Sequence, residues 1–307
     1  MELTEDVVEG LAGLVPDAAR ATRLTTGATW SEGPVWLPER RCLRWSDIPA
    51  DRILEYSPAD GSLRVYATGV EFTNGRTLDL DGNVVQCSHG RRRVERDDHG
   101  TVTEVVSHYG SARLNSPNDV VVAPDGSIWF SDPAYGITSE GEGHPGEREY
   151  GDHYVFRHDE RTGETRPVVI DVEEPNGLAF SPDGSLLYVS DTSAASRAGG
   201  NHHIRVYDVV DGRCKNGRLF AVVSPGLPDG FRVDERGNVW SSAQDGVHVF
   251  APDGTRIGFV PVPEKVGNLC FGGDDGRYLF VVATTSVYGL QTLVRDATAV
   301  ARATGAR

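Results

Sequence analysis

Six oxygen-bearing side chains recur at one fixed distance from a turn. Glu32, Asn74, Asn118, Asn176, Asp229 and Asn268 stand eight residues ahead of Arg40, Gly82, Gly126, Gly184, Gly237 and Gly276. Two carboxylates and four amides form an all-oxygen donor set with a charge near −2. Such a set suits a hard divalent cation, calcium first and magnesium or manganese next. Zinc more often takes His or Cys, which do not recur here, but it stays among the candidates. A hard cation polarises a carbonyl oxygen and lowers the pKa of bound water. With a carboxylate beside it, hydrolysis of an ester or lactone becomes feasible. An Asn or Asp before a strand is also a common turn former. A turn would accept Ser, Gly or Thr equally well, so six repeats of one choice favour a shared site.

Those oxygens converge only if six similar units close in a ring. Successive positions are 42, 44, 58, 53 and 39 residues apart, the spacing of propeller repeats. A short strand joins each polar residue to its turn, as in Asn118-Asp119-Val120-Val121-Val122-Ala123-Pro124-Asp125-Gly126. A second apolar strand follows, such as Ile128-Trp129-Phe130-Ser131 or Leu186-Leu187-Tyr188-Val189. Third strands are expected at Arg52–Tyr56, Tyr154–Arg157 and Ile204–Tyr207, and fourth strands at Arg64–Tyr66 or Thr165–Val169. β-Branched and aromatic residues fill these segments, and Asp-Gly or Gly-Asn dipeptides supply hairpin turns. The expected fold is all-β: a six-bladed β-propeller with four antiparallel strands per blade. Its expected bounds are residues 26–291, with an N-terminal extension over 1–25 and a C-terminal tail over 292–307. Helical periodicity is confined to Asp6–Leu14 and Leu293–Ala303.

The polar residue then starts the innermost strand on one face of the ring, and loops after the second strands overhang it. The longest runs from Pro133 to Asp152 and is expected to form a lid or wall of the pocket. Thr192–Asn201 has the same placement. His89 ends a second strand and faces the pocket side, where it would support a ligand from behind. Asp47, Asp132 and Asp191 end second strands as well. The adjacent His202 and His203 point to opposite faces.

Bulk properties narrow the partners. The 307-residue chain carries a net charge of −15, which disfavours nucleic acid or an anionic membrane as partner. No apolar run approaches the roughly 20 residues of a membrane span. The first residues lack the basic and apolar regions of a signal peptide. Cys42, Cys87, Cys214 and Cys270 are scattered, without a Cys-x-x-Cys pair. A reducing, cytoplasmic setting is expected. Neither a Gly-x-Ser-x-Gly elbow nor a His-Glu-x-x-His pattern occurs.

Several motifs together are distinctive. They are Ser31-Glu32-Gly33-Pro34-Val35-Trp36, Asn115-Ser116-Pro117-Asn118-Asp119-Val120 and Glu174-Pro175-Asn176-Gly177-Leu178-Ala179-Phe180. Pro228-Asp229-Gly230 and Asn268-Leu269-Cys270-Phe271-Gly272-Gly273 complete the set. The chain from about Glu32 to Leu290 resembles the gluconolactonase, senescence-marker-protein-30 and luciferin-regenerating-enzyme family. The resemblance implies a six-bladed propeller with one catalytic divalent metal and hydrolysis of sugar lactones such as glucono-1,5-lactone. It implies metal ligation by Glu32, Asn118, Asn176 and Asp229, with Asp229 also the general base. Asn118 would serve metal and substrate, and Asp119 and Arg113 resemble substrate-contacting positions. Arg113 is displaced relative to that pattern, with Leu114 to Pro117 between it and Asn118. Asn74 and Asn268 are left to contact substrate or to hold water or a ligand from behind.

The expected activity is metal-dependent opening of a sugar lactone to the aldonic acid. Alternatives are hydrolysis of other lactones or phosphotriesters, and a metal-stabilised binding propeller without turnover.

Overall fold

Each repeat begins with a short strand whose residues are almost wholly buried, and these six strands line one axis. They are Ser31–Leu37, Thr73–Leu78, Val120–Val122, Pro175–Phe180, Phe231–Val233 and Val266–Gly272. Each touches the next in cyclic order, and the last touches the first. The computed structural model describes residues 2–3 and 7–298.

Outward from each inner strand, three antiparallel neighbours complete a blade. In the third blade Val120–Val122 pairs with Ile128–Asp132, then Tyr154–Asp159, then Glu164–Val169. The six-bladed propeller expected from the repeat is the fold observed. The turn eight residues after each polar position needs a left-handed residue. Gly126 (φ +84°) and Gly184 (φ +69°) supply it without a Cβ clash. In the first blade Arg41, one position late, takes φ +48°. An aspartate beside the turn accepts backbone N–H groups, as Asp125 does from Ser127 at 2.9 Å.

The apolar core lies between blades. Trp129 meets Phe180 edge-on at 5.2 Å, and Trp240 meets Phe271 at 5.8 Å. Their indole N–H groups are not wasted: Trp129 donates to Ser127 Oγ and Trp240 to Asp234 Oδ2, each at 2.9 Å.

Ring closure departs from the expected domain bounds. The sixth blade takes Val266–Gly272, Tyr278–Ala283 and Ser286–Gln291 from the end of the chain. Its fourth strand is Thr22–Thr26, paired through Thr22 with Gly289 and Thr26 with Ser286. The propeller therefore extends outside 26–291 and draws a strand from the segment set apart as an extension. Leu11, Leu14 and Val15 also pack into the core with Trp240 and Leu269. On the other side Leu293 N donates to Leu14 O at 2.8 Å, and Val294 is fully buried. Val7–Leu14 forms turns and isolated bridges rather than a helix, and only Ala297–Thr298 is helical near the end. Asp6 and residues 299–303 of the two periodic segments lie outside the described residues.

No described helix is long and apolar enough to cross a membrane. The four cysteines are unpaired, and Cys42, Cys87 and Cys270 are buried.

Candidate active site

Three of the aspartates that end second strands fix how the chain enters the ring. Asp132 accepts from Asn115 N at 2.7 Å and Ser116 N at 2.8 Å, just ahead of Asn118. Asp47 accepts from Thr29 N at 2.8 Å and Trp30 N at 3.1 Å, just ahead of Glu32. Asp191 accepts from Glu173 N at 3.0 Å, ahead of Asn176. One carboxylate thus ties each incoming loop to its own blade and sets the height of the following ring residue.

Close approach at the axis then calls for glycine. Gly177 N donates to Asp229 O at 3.0 Å, and a Cβ there would stand 2.4 Å from that oxygen. A Cβ on Gly230 would stand 2.0 Å from Asn268 Cγ. The third blade has Asp119 at the corresponding place. Its Oδ1 accepts from Val120 N at 2.9 Å, and its Oδ2 lies 3.7 Å from the Arg232 guanidinium.

Glu32, Asn74, Asn118, Asn176 and Asp229 line a single cavity of about 900 Å³. Asn268 does not. It donates to Glu32 Oε2 at 3.2 Å and accepts from Leu269 N at 2.8 Å, so it holds Glu32 from outside the cavity. Asp119 is buried away from the cavity, although it was expected to contact substrate. Arg113 is corrected more strongly. It sits exposed in a two-stranded ribbon, Ala112–Arg113 against His108–Tyr109, and points its Nη2 at Arg91 O, 3.4 Å away. The four residues between it and Asn118 turn it outward.

His89 reaches the site through Asn74. Its ring lies between the Asn74 amide Nδ2 at 3.2 Å and the Glu142 carbonyl oxygen at 2.9 Å. Nδ1–H donates to Glu142 and Nε2 accepts from Asn74, an assignment that requires a neutral ring. Burial holds the His89 pKa down to about 4, in keeping with that tautomer. The His202 ring instead pairs with Val223 O at 2.7 Å, outside the cavity.

The long loop forms a wall as expected. Tyr135, Thr138, Ser139, Glu142 and Arg148 from it line the cavity, and its only helix is the four-residue Tyr135–Thr138. Tyr135 Oη meets Thr192 Oγ1 at 2.7 Å, and Asn176 Nδ2 donates to the same Thr192 oxygen at 3.3 Å. Trp30, Tyr135, Glu142, Glu174 and Lys265 are cavity residues that the repeat did not reveal. They come from connecting loops of different blades, which carry no periodic signal; only Glu174, next to Pro175-Asn176, stood inside a quoted motif.

The electrostatics favour a cation. Burial and then the charge of Asp229 raise the Glu32 pKa well above the carboxylate range. Burial pushes Asp229 up to about 6, against the lowering influence of Lys265 and Asn176. Glu32 Oε1 and Asn74 Oδ1 are buried without a hydrogen-bond partner. Orphaned buried acceptors beside two like charges are costly unless a positive group joins them. No three His, Cys, Asp or Glu side chains cluster for a metal among the described residues. The donors that do converge are two carboxylates and amide oxygens, a set that fits a hard cation.

The family model for the SMP-30/Gluconolactonase/LRE-like region matches residues 30–285. The chain belongs to this family. Among members of the family, a gluconolactonase of Zymomonas mobilis is 32% identical over 86% of this chain and 78% of its own length. A pentonolactonase of Haloferax volcanii is 32% identical over 83% of this chain and 82% of its own. A solved gluconolactonase from Xanthomonas campestris superposes with a TM-score of 0.88 at 37% identity, covering 95% of this chain and 97% of that one. This member of the family is a lactonase.

Proposed function

We propose that this lactonase opens sugar lactones of the gluconolactone type to aldonic acids, with a divalent cation held by Glu32, Asn118, Asn176 and Asp229. The observation that carries this reading is the Glu32–Asp229 pair. Two carboxylates, both raised by burial and Glu32 further by the charge of Asp229, share one cavity, and one of their oxygens lacks any partner. When bound, the cation would polarise the lactone carbonyl and offset the oxyanion that develops there, calcium being favoured by the oxygen donors.

The protein's own groups do the rest. Asp229 accepts the proton of the attacking water and delivers it to the ring oxygen as the carbonyl carbon–oxygen bond breaks. Water is consumed, and no redox partner is needed. Asn118 and Asn74 hold substrate by their amides. Asn74 is kept in one orientation by His89, which takes its N–H and leaves Oδ1 for the cavity. The Tyr135–Thr192 contact links the walls of blades three and four and limits water on that side. The similar gluconolactonase and pentonolactonase support a polyhydroxylated lactone as substrate.

Chelator-stripped protein should lose at least about a hundredfold in glucono-1,5-lactone turnover and regain it on refilling, with calcium, magnesium, manganese and zinc compared. Asp229→Asn should stay inactive after refilling while melting as the wild type does. Full turnover in either the stripped protein or that variant would sink the reading.

A further inference from the structure

Lys265 is the one cavity-lining lysine, and nothing in the proposed chemistry uses it. It immediately precedes the innermost strand of the sixth blade, Val266–Gly272, which carries Asn268. The backbone here is fixed from two blades: Thr284 N of the sixth donates to Lys265 O at 2.9 Å, and Val266 N, the next residue, donates to Ala243 O of the fifth at 3.1 Å. Its ammonium lies over the face of Trp30, 4.7 Å from the ring centroid. A cation on an indole face is held in place without spending its N–H donors on an oxygen. Among the described residues no carboxylate lies within ion-pair distance of that ammonium, and no side-chain hydrogen bond satisfies it. Burial leaves the pKa values of Asp229 and Glu142 raised, and both groups are nonetheless close enough for the Lys265 charge to offset part of that rise.

The result is a pinned ammonium with three unspent donors on the wall of the cavity that holds the catalytic carboxylate. We propose that Lys265, backed by Trp30, is a specificity-determining residue that donates a hydrogen bond to a hydroxyl of a polyhydroxylated lactone. This rests on the sugar-lactone reading of the site and deepens it. A hydroxyl meets those donors, whereas the methylene of an unsubstituted lactone leaves them unpaired against an apolar surface. Sites built to hydrogen-bond a hydroxyl discriminate strongly against analogues that lack it.

A rival role for Lys265 is purely electrostatic, keeping Asp229 ionised. That role acts on the base and so affects every lactone alike. Hydrogen bonding to substrate acts only where a hydroxyl is present.

The test compares Lys265→Met and Lys265→Arg with wild type, all cation-replete, on glucono-1,5-lactone and on δ-valerolactone. Lys265→Met should raise KM for glucono-1,5-lactone about tenfold with kcat little changed. Its kcat/KM on δ-valerolactone should stay within about twofold of wild type, and Lys265→Arg should recover part of the sugar-lactone KM. Equal losses on both lactones would assign Lys265 to the field around Asp229 and overturn the proposal. Unchanged KM for glucono-1,5-lactone would overturn it too. Wild-type protein that opens δ-valerolactone but not glucono-1,5-lactone would instead overturn the sugar-lactone reading itself.

Discussion

His89 Nε2 accepts a hydrogen bond from Asn74 Nδ2 at 3.2 Å, and the opposite nitrogen of the same ring donates to Glu142 O at 2.9 Å. One buried imidazole therefore fixes both an amide of the ring and the backbone of the loop that walls the cavity. Removing it should disturb both. His89→Phe leaves the Asn74 amide unpaired, at a cost on the order of 1–3 kcal/mol in folding stability. Its kcat/KM for glucono-1,5-lactone should fall about tenfold or more. His89→Gln keeps an acceptor near Nε2 and should lose less on both counts. Urea unfolding and steady-state kinetics on the two variants check this; equal behaviour of Phe and Gln would contradict it.

The same ring has a pH signature. Burial lowers its pKa from 6.5 to about 4. Between those values the unfolded chain binds a proton that the native ring refuses. The stability contributed is therefore complete above about pH 6.5 and is lost as pH falls toward 4, by on the order of 3 kcal/mol. Wild type should lose more stability than His89→Gln over this window. Urea midpoints measured at several pH values give the difference, and parallel curves would rule the effect out.

Gly230 sits where the fifth blade passes the sixth. An added Cβ would meet Asn268 Cγ at 2.0 Å, and Asn268 is the side chain that donates to Glu32 Oε2. Gly230→Ala should cost about 1–3 kcal/mol through overpacking. It should also weaken calcium binding, because Glu32 loses its support. Calorimetric titration of calcium on the folded variant checks the second effect, and wild-type affinity would disprove it.

Much of this architecture is legible in the chain alone. The eight-residue offset exists because each inner strand has the same length between axis and turn, so repetition in sequence becomes repetition in space. Five of the six residues picked out by that offset share one cavity, because inner strands of a closed ring all begin at the same axis. The aspartates that end second strands were visible too, although their work on the incoming loop appears only with the backbone in place. The closure of the sixth blade was not legible. Thr22–Thr26 pairs with Ser286–Gln291 across nearly the whole chain, and no local pattern announces a pairing of that sequence separation. Arg113 looked close to Asn118 along the chain, yet a two-stranded ribbon carries it to the surface.

By itself the sequence determined the number of blades and the residues near the start of each inner strand, since these follow from local periodicity and turn chemistry. Only the tertiary structure decided what surrounds those residues. Trp30, Glu142, Glu174 and Lys265 reach the cavity from four separate connections, and their side chains become neighbours only because ring closure brings distant loops over one point.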